Sequence, residues 1–144
     1  YYGRGPFENY IDRYSGAFIG RYEDKVENQF YWYIRPQETG NKTDVRWLTL
    51  LDSGGLGVKI TGLQPISFSA LHFSPEDLDP GLTRKLQHTI DIVPQKNIFL
   101  HVDLKQRGLG GDNSWGMYPH NEYRLLDKKY TYSYMIELVK KNSD

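Results

Sequence analysis

The chain has 144 residues, enough for one domain with a substantial hydrophobic core, and its 18 basic side chains balance 18 acidic ones. This balance argues against a nucleic-acid binder, which needs a basic surface. The chain contains no cysteine, which excludes disulfides, thiolate metal sites and a cysteine nucleophile but is compatible with either redox compartment. No apolar run approaches the roughly 20 residues that cross a bilayer, so we expect no membrane partner.

Aromatic residues make up 15% of the chain, which favours strands and supplies flat surfaces suited to sugar rings. The chain begins at Tyr1 with no signal peptide, and we expect it to be part of something longer. We predict strands at residues 17–22, 29–34 and 43–51. In the third of these, alternation places Val45 and Trp47 on the face opposite to Leu48.

Residues 52–55, with the sequence DSGG, predict a hairpin turn into a strand at 56–61. Further strands are predicted at 66–73 and 129–139, with a second hairpin over 96–104. Ser74 followed by Pro75 predicts the start of one short helix, which ends at residues 79–81. Eight to ten short strands and one helix indicate an all-β fold, an antiparallel β-sandwich, in a single domain spanning residues 1–144.

The N-terminal motif, residues 2–13 (YGRGPFENYIDR), gathers charged side chains among aromatic and turn residues. Glu8 and Asp12 could form the carboxylate pair of a glycosidase. A structural network of ion pairs and hydrogen bonds is the alternative that we favour. Four histidines are scattered through the chain without metal-ligand spacing, and we predict no metal site: His72, His88, His101 and His120.

The Trp115 loop, residues 108–116 (GLGGDNSWG), resembles a phosphate-binding loop only in its glycine content. A dinucleotide fingerprint requires a third glycine where Asn113 stands, and no helix is predicted to follow. The loop therefore does not predict a nucleotide site. Its tryptophan either packs onto its own sandwich or serves as a platform for an apolar ring surface.

Two segments together resemble a known family. The N-terminal motif is similar to the pattern (W/Y)-(F/Y)-G-x-G-P-x-E-N-Y-x-D-R, and GLGGDNSW is similar to G-x-G-G-D-x-S-W. Both patterns belong to the C-terminal small-chain domain of β-galactosidases of glycoside hydrolase family 2, the large bacterial lactase type. RPQETGN and TDVRW, which lie between them, resemble further stretches of that domain, so the resemblance covers essentially the whole chain.

The resemblance implies that the chain is the C-terminal half of the fifth and last domain, a β-supersandwich similar to galactose mutarotase. It places the catalytic glutamates in a TIM barrel, so this chain would hold no catalytic residue and be inactive alone. It assigns Trp115 as a sugar-stacking platform in the barrel's active site. Three neighbours match the motif as loop-shaping residues: Asp112, Asn113 and Ser114.

The implied partners are a β-galactoside such as lactose and the TIM barrel of the same enzyme, in a homo-oligomer of the bacterial cytoplasm or periplasm. Mg²⁺ and Na⁺ are implied for the parent enzyme, with no cofactor in this chain. Residues 116–120 (GMYPH) depart from the small residue and proline that often follow the tryptophan in the family. Two alternatives are a free-standing carbohydrate-binding or aldose-mutarotase-like module and a scaffold for subunit contacts.

Overall fold

In a computed structural model, which describes residues 1–79, 81–82 and 88–141, the chain is mostly antiparallel sheet. The described elements are strands β1 (Tyr2–Gly5), β2 (Phe18–Arg21), β3 (Lys42–Leu51), β4 (Leu56–Leu71), β5 (Phe99–Asp103) and β6 (Tyr134–Lys140), helix α1 (Pro75–Leu78), and 3₁₀ turns at Val26–Gln29, Thr89–Asp91 and Asn121–Tyr123. The sheet order is β2-β1-β3-β4-β5, and β6 pairs with β4. The predicted fold class is confirmed: the architecture is consistent with an all-β sandwich with one short helix.

The hairpin between β3 and β4 forms where it was predicted. The Asp52 side chain accepts hydrogen bonds from the backbone N–H groups of Gly54 at 2.8 Å and Leu56 at 3.0 Å, which closes the turn. The strands predicted at 56–61 and 66–73 are parts of one continuous strand, β4. The described residues form six strands rather than the predicted eight to ten, in part because β4 joins two of the predicted strands.

The predicted alternation along β3 is wrong, because Val45 and Leu48 are both buried in the same core cluster. The cause is an irregularity in the ladder. Val45 pairs with Ile66 while Trp47 pairs with Thr61, so residues 62–65 of β4 bulge out of register. The bulge resets which side chains face the core, and a strict period of two cannot describe such a strand.

The strand predicted at residues 29–34 is also wrong. A 3₁₀ turn, Val26–Gln29, is followed by irregular chain. Phe30 is buried against Phe73, with ring centroids 4.4 Å apart, and the Tyr31 backbone N–H donates to the Thr39 hydroxyl at 3.1 Å. Tertiary packing and side-chain hydrogen bonds therefore occupy the groups that a strand ladder would have used.

The hairpin predicted over 96–104 is a single strand, β5, which pairs with the end of β4. The segment before it is held by His72, whose ring Nδ1 lies 3.0 Å from the Gln95 carbonyl oxygen and 3.2 Å from that of Asn97. Helix α1 is confirmed, with Ser74 and Asp77 forming a reciprocal capping box. Of its predicted end, Pro80 lies outside the described residues.

The core lies on β3 and β4. Its main cluster contains six buried side chains: Val45, Leu48, Ile60, Ile66, Phe68 and Ala70. A second cluster joins the irregular segment to the end of β4 through Phe30, Leu71, Phe73 and Ile92. Strand β6 covers the start of β4 but leaves Leu138 86% exposed. Of the described helices, none has the length and apolar composition to cross a membrane.

Candidate functional site

The N-terminal motif is built around one buried amide, that of Asn9, which is 1% exposed. Its nitrogen donates to the carbonyl oxygens of Arg4 at 3.1 Å and Phe7 at 3.0 Å. Its oxygen accepts from the Thr43 backbone N–H at 3.0 Å, while the Asn9 backbone N–H donates to the Asn41 carbonyl at 2.8 Å. Asn9 thereby connects the first strand to the start of β3.

The two carboxylates of the motif have different partners. Glu8 accepts hydrogen bonds from the Gly40 backbone N–H at 2.7 Å and from the Thr39 hydroxyl at 3.2 Å. Asp12 instead accepts from the Gly110 backbone N–H at 2.8 Å. Each carboxylate thus stabilises a neighbouring turn or loop, which is the structural network that the sequence favoured over a glycosidase pair.

Lys42 lies under the motif and is 0% exposed, with Nζ donating to the Gly40 carbonyl at 3.2 Å. Burial lowers the pKa of Lys42 to about 8, against the opposing attraction of Glu8 and Asp24. Sequence reasoning missed this residue, because a lysine in a polar turn is usually exposed. Since its side chain is enclosed, Lys42 serves the fold and is not placed to touch a substrate.

The Trp115 loop is attached to the N-terminal motif at its root. Besides the Asp12–Gly110 contact, the Gly108 backbone N–H donates to the Tyr123 carbonyl at 2.6 Å. Asp12 and Gly110 are 98 positions apart. The structure therefore brings together the two segments on which the family resemblance depends.

The tip of the loop presents its tryptophan outward, since Trp115 is 88% exposed. The Asn113 side chain accepts from the Trp115 backbone N–H at 2.9 Å, which makes a tight turn before the indole. Gly116 follows with φ of 97°, a conformation that favours glycine. Of the two alternatives for this tryptophan, packing onto its own sheet is not observed. Ser114 is exposed beside it.

Asp112 pairs with His120 across the loop. The His120 Nε2 lies 2.7 Å from the Asp112 Oδ1, and both side chains are exposed. The hydrogen bond to Asp112 and the charge of that carboxylate raise the pKa of His120. The departure of residues 116–120 from the family pattern thus supplies a partner for one predicted loop-shaping residue.

The Trp115 loop lines neither of two clefts that open on the described part of the chain. The first has a volume of about 230 Å³, with Glu38 and His101 among its lining residues beside Phe73 and Phe99. Burial raises the pKa of the Glu38 carboxyl. The sequence offered no arrangement of histidine with glutamate, whereas the fold places this pair around one cleft because β5 lies next to β4.

Metal binding has no candidate in the described residues, where no group of three or more histidine and carboxylate side chains could hold an ion. No chemical step of this chain is therefore assigned to Mg²⁺ or Na⁺.

Comparison with known proteins identifies the family. Residues 1–136 match the family model described as the beta galactosidase small chain. The chain belongs to the β-galactosidase small-chain family. It is 38% identical over 138 residues to a beta-galactosidase of Priestia megaterium and 37% identical over 139 residues to one of Streptococcus thermophilus. A beta-galactosidase of Lactobacillus delbrueckii subsp. bulgaricus is 37% identical over 130 residues.

These matches cover 95%, 95% and 90% of this small-chain domain but only 13%, 13% and 12% of the respective relatives. The chain thus spans about an eighth of the length of the curated relatives that it matches. Both the N-terminal motif and the Trp115 loop lie inside the matched range, so the contact between Asp12 and Gly110 joins two segments of the family's own pattern.

Proposed function

We propose that residues 1–144 form one non-catalytic C-terminal domain of a homo-oligomeric β-galactosidase of glycoside hydrolase family 2. The parent enzyme would hydrolyse terminal β-D-galactosides such as lactose. The family membership and the names of the relatives support this proposal, and their much greater length leaves room for a catalytic TIM barrel. Retaining hydrolysis needs two carboxylates about 5 Å apart. In this proposal both lie in the barrel, together with any Mg²⁺ and Na⁺ sites.

Trp115 completes the active site of the parent in this proposal, and its exposure is the single observation that carries the role. An indole that is 88% exposed, on a loop whose root is hydrogen-bonded to Asp12 of the N-terminal motif, offers its face to a neighbouring domain. Stacking on one sugar face would contribute about 1–3 kcal/mol. Asn113 and the Asp112–His120 pair would shape the loop, with Ser114 beside the indole.

Substitution of Trp115 in the full-length enzyme tests the platform. We expect Trp115→Ala to raise KM for lactose about 5- to 150-fold, the factor that corresponds to the stacking energy. Thermal unfolding should be unchanged, because the Trp115 side chain is 88% exposed and contributes little to the packing of its own domain. Leu109→Ala is the matched control, since Leu109 is 50% exposed in the same loop and is expected to leave KM unchanged. An unaltered KM for lactose and aryl galactosides in Trp115→Ala would contradict the platform.

A second candidate function, anomer interconversion of a free sugar, is favoured by the cleft that Glu38 and His101 line. Such a reaction needs an acid and a base on one sugar, and a histidine with a carboxyl of raised pKa meets this need. Incubating the isolated chain with lactose and with α-galactose separates the candidates. Lactose hydrolysis would contradict the non-catalytic assignment, whereas anomer interconversion that is lost in Glu38→Gln would establish the second function.

A further inference from the structure

We infer that Asp12 is a positioning residue for substrate binding, which it controls by fixing the root of the Trp115 loop. The inference rests on the proposed function, because it concerns the sugar platform of that same site. Asp12 belongs to the N-terminal motif, and its hydrogen bond within the described residues goes to the root of the loop and not to its tip. Its effect on substrate would pass through the backbone of Gly110.

A hydrogen bond between Asp12 and Gly110 joins the N-terminal motif to the root of the Trp115 loop. The Asp12 Oδ2 accepts from the Gly110 N–H at 2.8 Å, and a hydrogen bond to a carboxylate is roughly twice as strong as one between neutral groups. Gly110 is exposed, so the rest of its surroundings hold it weakly. Together with the hydrogen bond from the Gly108 N–H to the Tyr123 carbonyl at 2.6 Å, this bond restrains the root of the loop.

The backbone of the loop packs closely against the Asp12 carboxylate at Gly108. A Cβ atom placed on Gly108 would lie 2.7 Å from the Asp12 Oδ2 and 2.9 Å from the Tyr123 Cβ, closer than side chains approach. The glycine at this position therefore lets the loop backbone pass against Asp12. By contrast, a Cβ on Gly110 would lie 3.7 Å from the Asp12 Oδ2, an ordinary contact distance.

The two oxygens of the Asp12 carboxylate differ in their surroundings. The Asp12 Oδ1 is buried and accepts no hydrogen bond from the described residues. A buried carboxylate oxygen without a donor lowers stability. Asp12 is thus a costly choice for its own domain. Among the described residues, the one hydrogen bond that the Asp12 carboxylate accepts is thus the bond from Gly110.

The experiment is a double-mutant cycle in the full-length enzyme with KM for lactose as the readout. We expect Asp12→Ala to raise KM at least threefold with a smaller change in kcat. Once Trp115 is already alanine, the further change of Asp12→Ala should alter KM by less than twofold, since residues that act through one group are not additive. Asp12→Asn keeps a carbonyl oxygen of the same size and should raise KM less than Asp12→Ala.

Limited trypsin digestion supplies a readout that does not depend on activity. Arg107 is exposed immediately before the loop, and Asp12→Ala should speed cleavage after Arg107 relative to cleavage after Lys96, which is exposed in a bend before β5. Asp24→Ala is the control, because Asp24 accepts hydrogen bonds from its own turn and lies in the same domain. This variant should change neither KM nor cleavage after Arg107.

The outcomes separate the two proposals. If Trp115→Ala raises KM but Asp12→Ala leaves it unchanged, or multiplies it independently of Trp115, the positioning role is overturned and the platform stands. If Trp115→Ala leaves KM unchanged, the platform fails, and the substrate role of Asp12 is overturned with it. If Asp12→Ala is poorly folded, the KM and the cleavage of Asp12→Asn decide in its place, with wild-type values in both overturning the inference.

Discussion

The N-terminal motif and the Trp115 loop touch through the Asp12–Gly110 hydrogen bond, but they use their polar groups in opposite ways. In the motif, Asn9 and its partners are enclosed and paired within the chain. In the loop, the side chains from Asp112 to Trp115 point outward and make few bonds. Both segments match the family pattern with similar clarity, so a match in sequence does not reveal which of the two serves stability.

The burial of each side chain distinguishes residues that serve folding from residues available for binding, which the family pattern does not. A buried amide with all its groups paired contributes to folding, since removal leaves several partners without hydrogen bonds. An exposed indole contributes little to the folding of its own domain, and in the proposed function it serves the sugar site of the parent enzyme. The comparison therefore predicts that replacing an enclosed, paired side chain such as Asn9 reduces stability, whereas replacing the exposed Trp115 reduces substrate binding.

The largest loss of stability is expected for Asn9→Ala, in the buried N-terminal motif. We expect the free energy of unfolding to fall by about 3–4 kcal/mol, because hydrogen-bonding groups of Arg4, Phe7 and Thr43 lose their partner in a buried site. Urea unfolding of the chain measures the change. Asn113→Ala is the matched control, and we expect a change below about 0.5 kcal/mol for this exposed loop residue. Equal losses in the two variants would remove the distinction.

Lys42 gives the buried region a response to alkaline pH. The pKa in the folded chain, about 8, lies below the ordinary 10.5, so the unfolded chain binds more protons between these values. Stability from this group is therefore lowest below pH 8 and rises with pH. The expected gain between pH 7 and 9.5 is about 2 kcal/mol.

Urea unfolding at the two pH values, in the wild type and in Lys42→Met, isolates the contribution of this amine. The variant keeps most of the apolar stem and has no ammonium group to titrate, so its stability should change with pH by about 2 kcal/mol less than that of the wild type. Identical pH dependence in both proteins would show that the pKa of the Lys42 amine is the same in the folded and unfolded chain, and would contradict the lowered value.

Local signals in the sequence predicted the local structure well. The turn at Asp52 and the cap at Ser74 depend on residues within four positions of one another, so the amino acids present determine the geometry. The strand predicted at 29–34 failed because Phe30 packs on Phe73, which is far along the chain. Similarly, the buried positions of β3 follow from a bulge in β4.

The sequence likewise predicted one part of the candidate site, while another part depends on contacts between distant segments. The family pattern assigned the Trp115 loop, and the structure added that the indole is exposed, which spacing alone left open between two alternatives. The contacts of Asp12 with Gly110 and of Asp112 with His120 depend on how the loop folds back. The cleft shared by Glu38 and His101 depends on strand order, for which neither residue carries a local signal.

The smallest effect on stability is expected for the exposed pair of His120 with Asp112, in contrast to the buried N-terminal motif. Asp112 raises the pKa of His120 above the ordinary 6.5, so the charged pair is fully formed below pH 6.5 and is lost as pH rises through the raised value. An NMR titration of the His120 ring should show the pKa falling toward 6.5 in Asp112→Asn, with a smaller decrease in Glu122→Gln. Because exposed pairs contribute little to folding, the urea midpoint should not move in either variant. A pKa that is the same with and without the Asp112 carboxylate would mean that the loop does not close on His120 in solution.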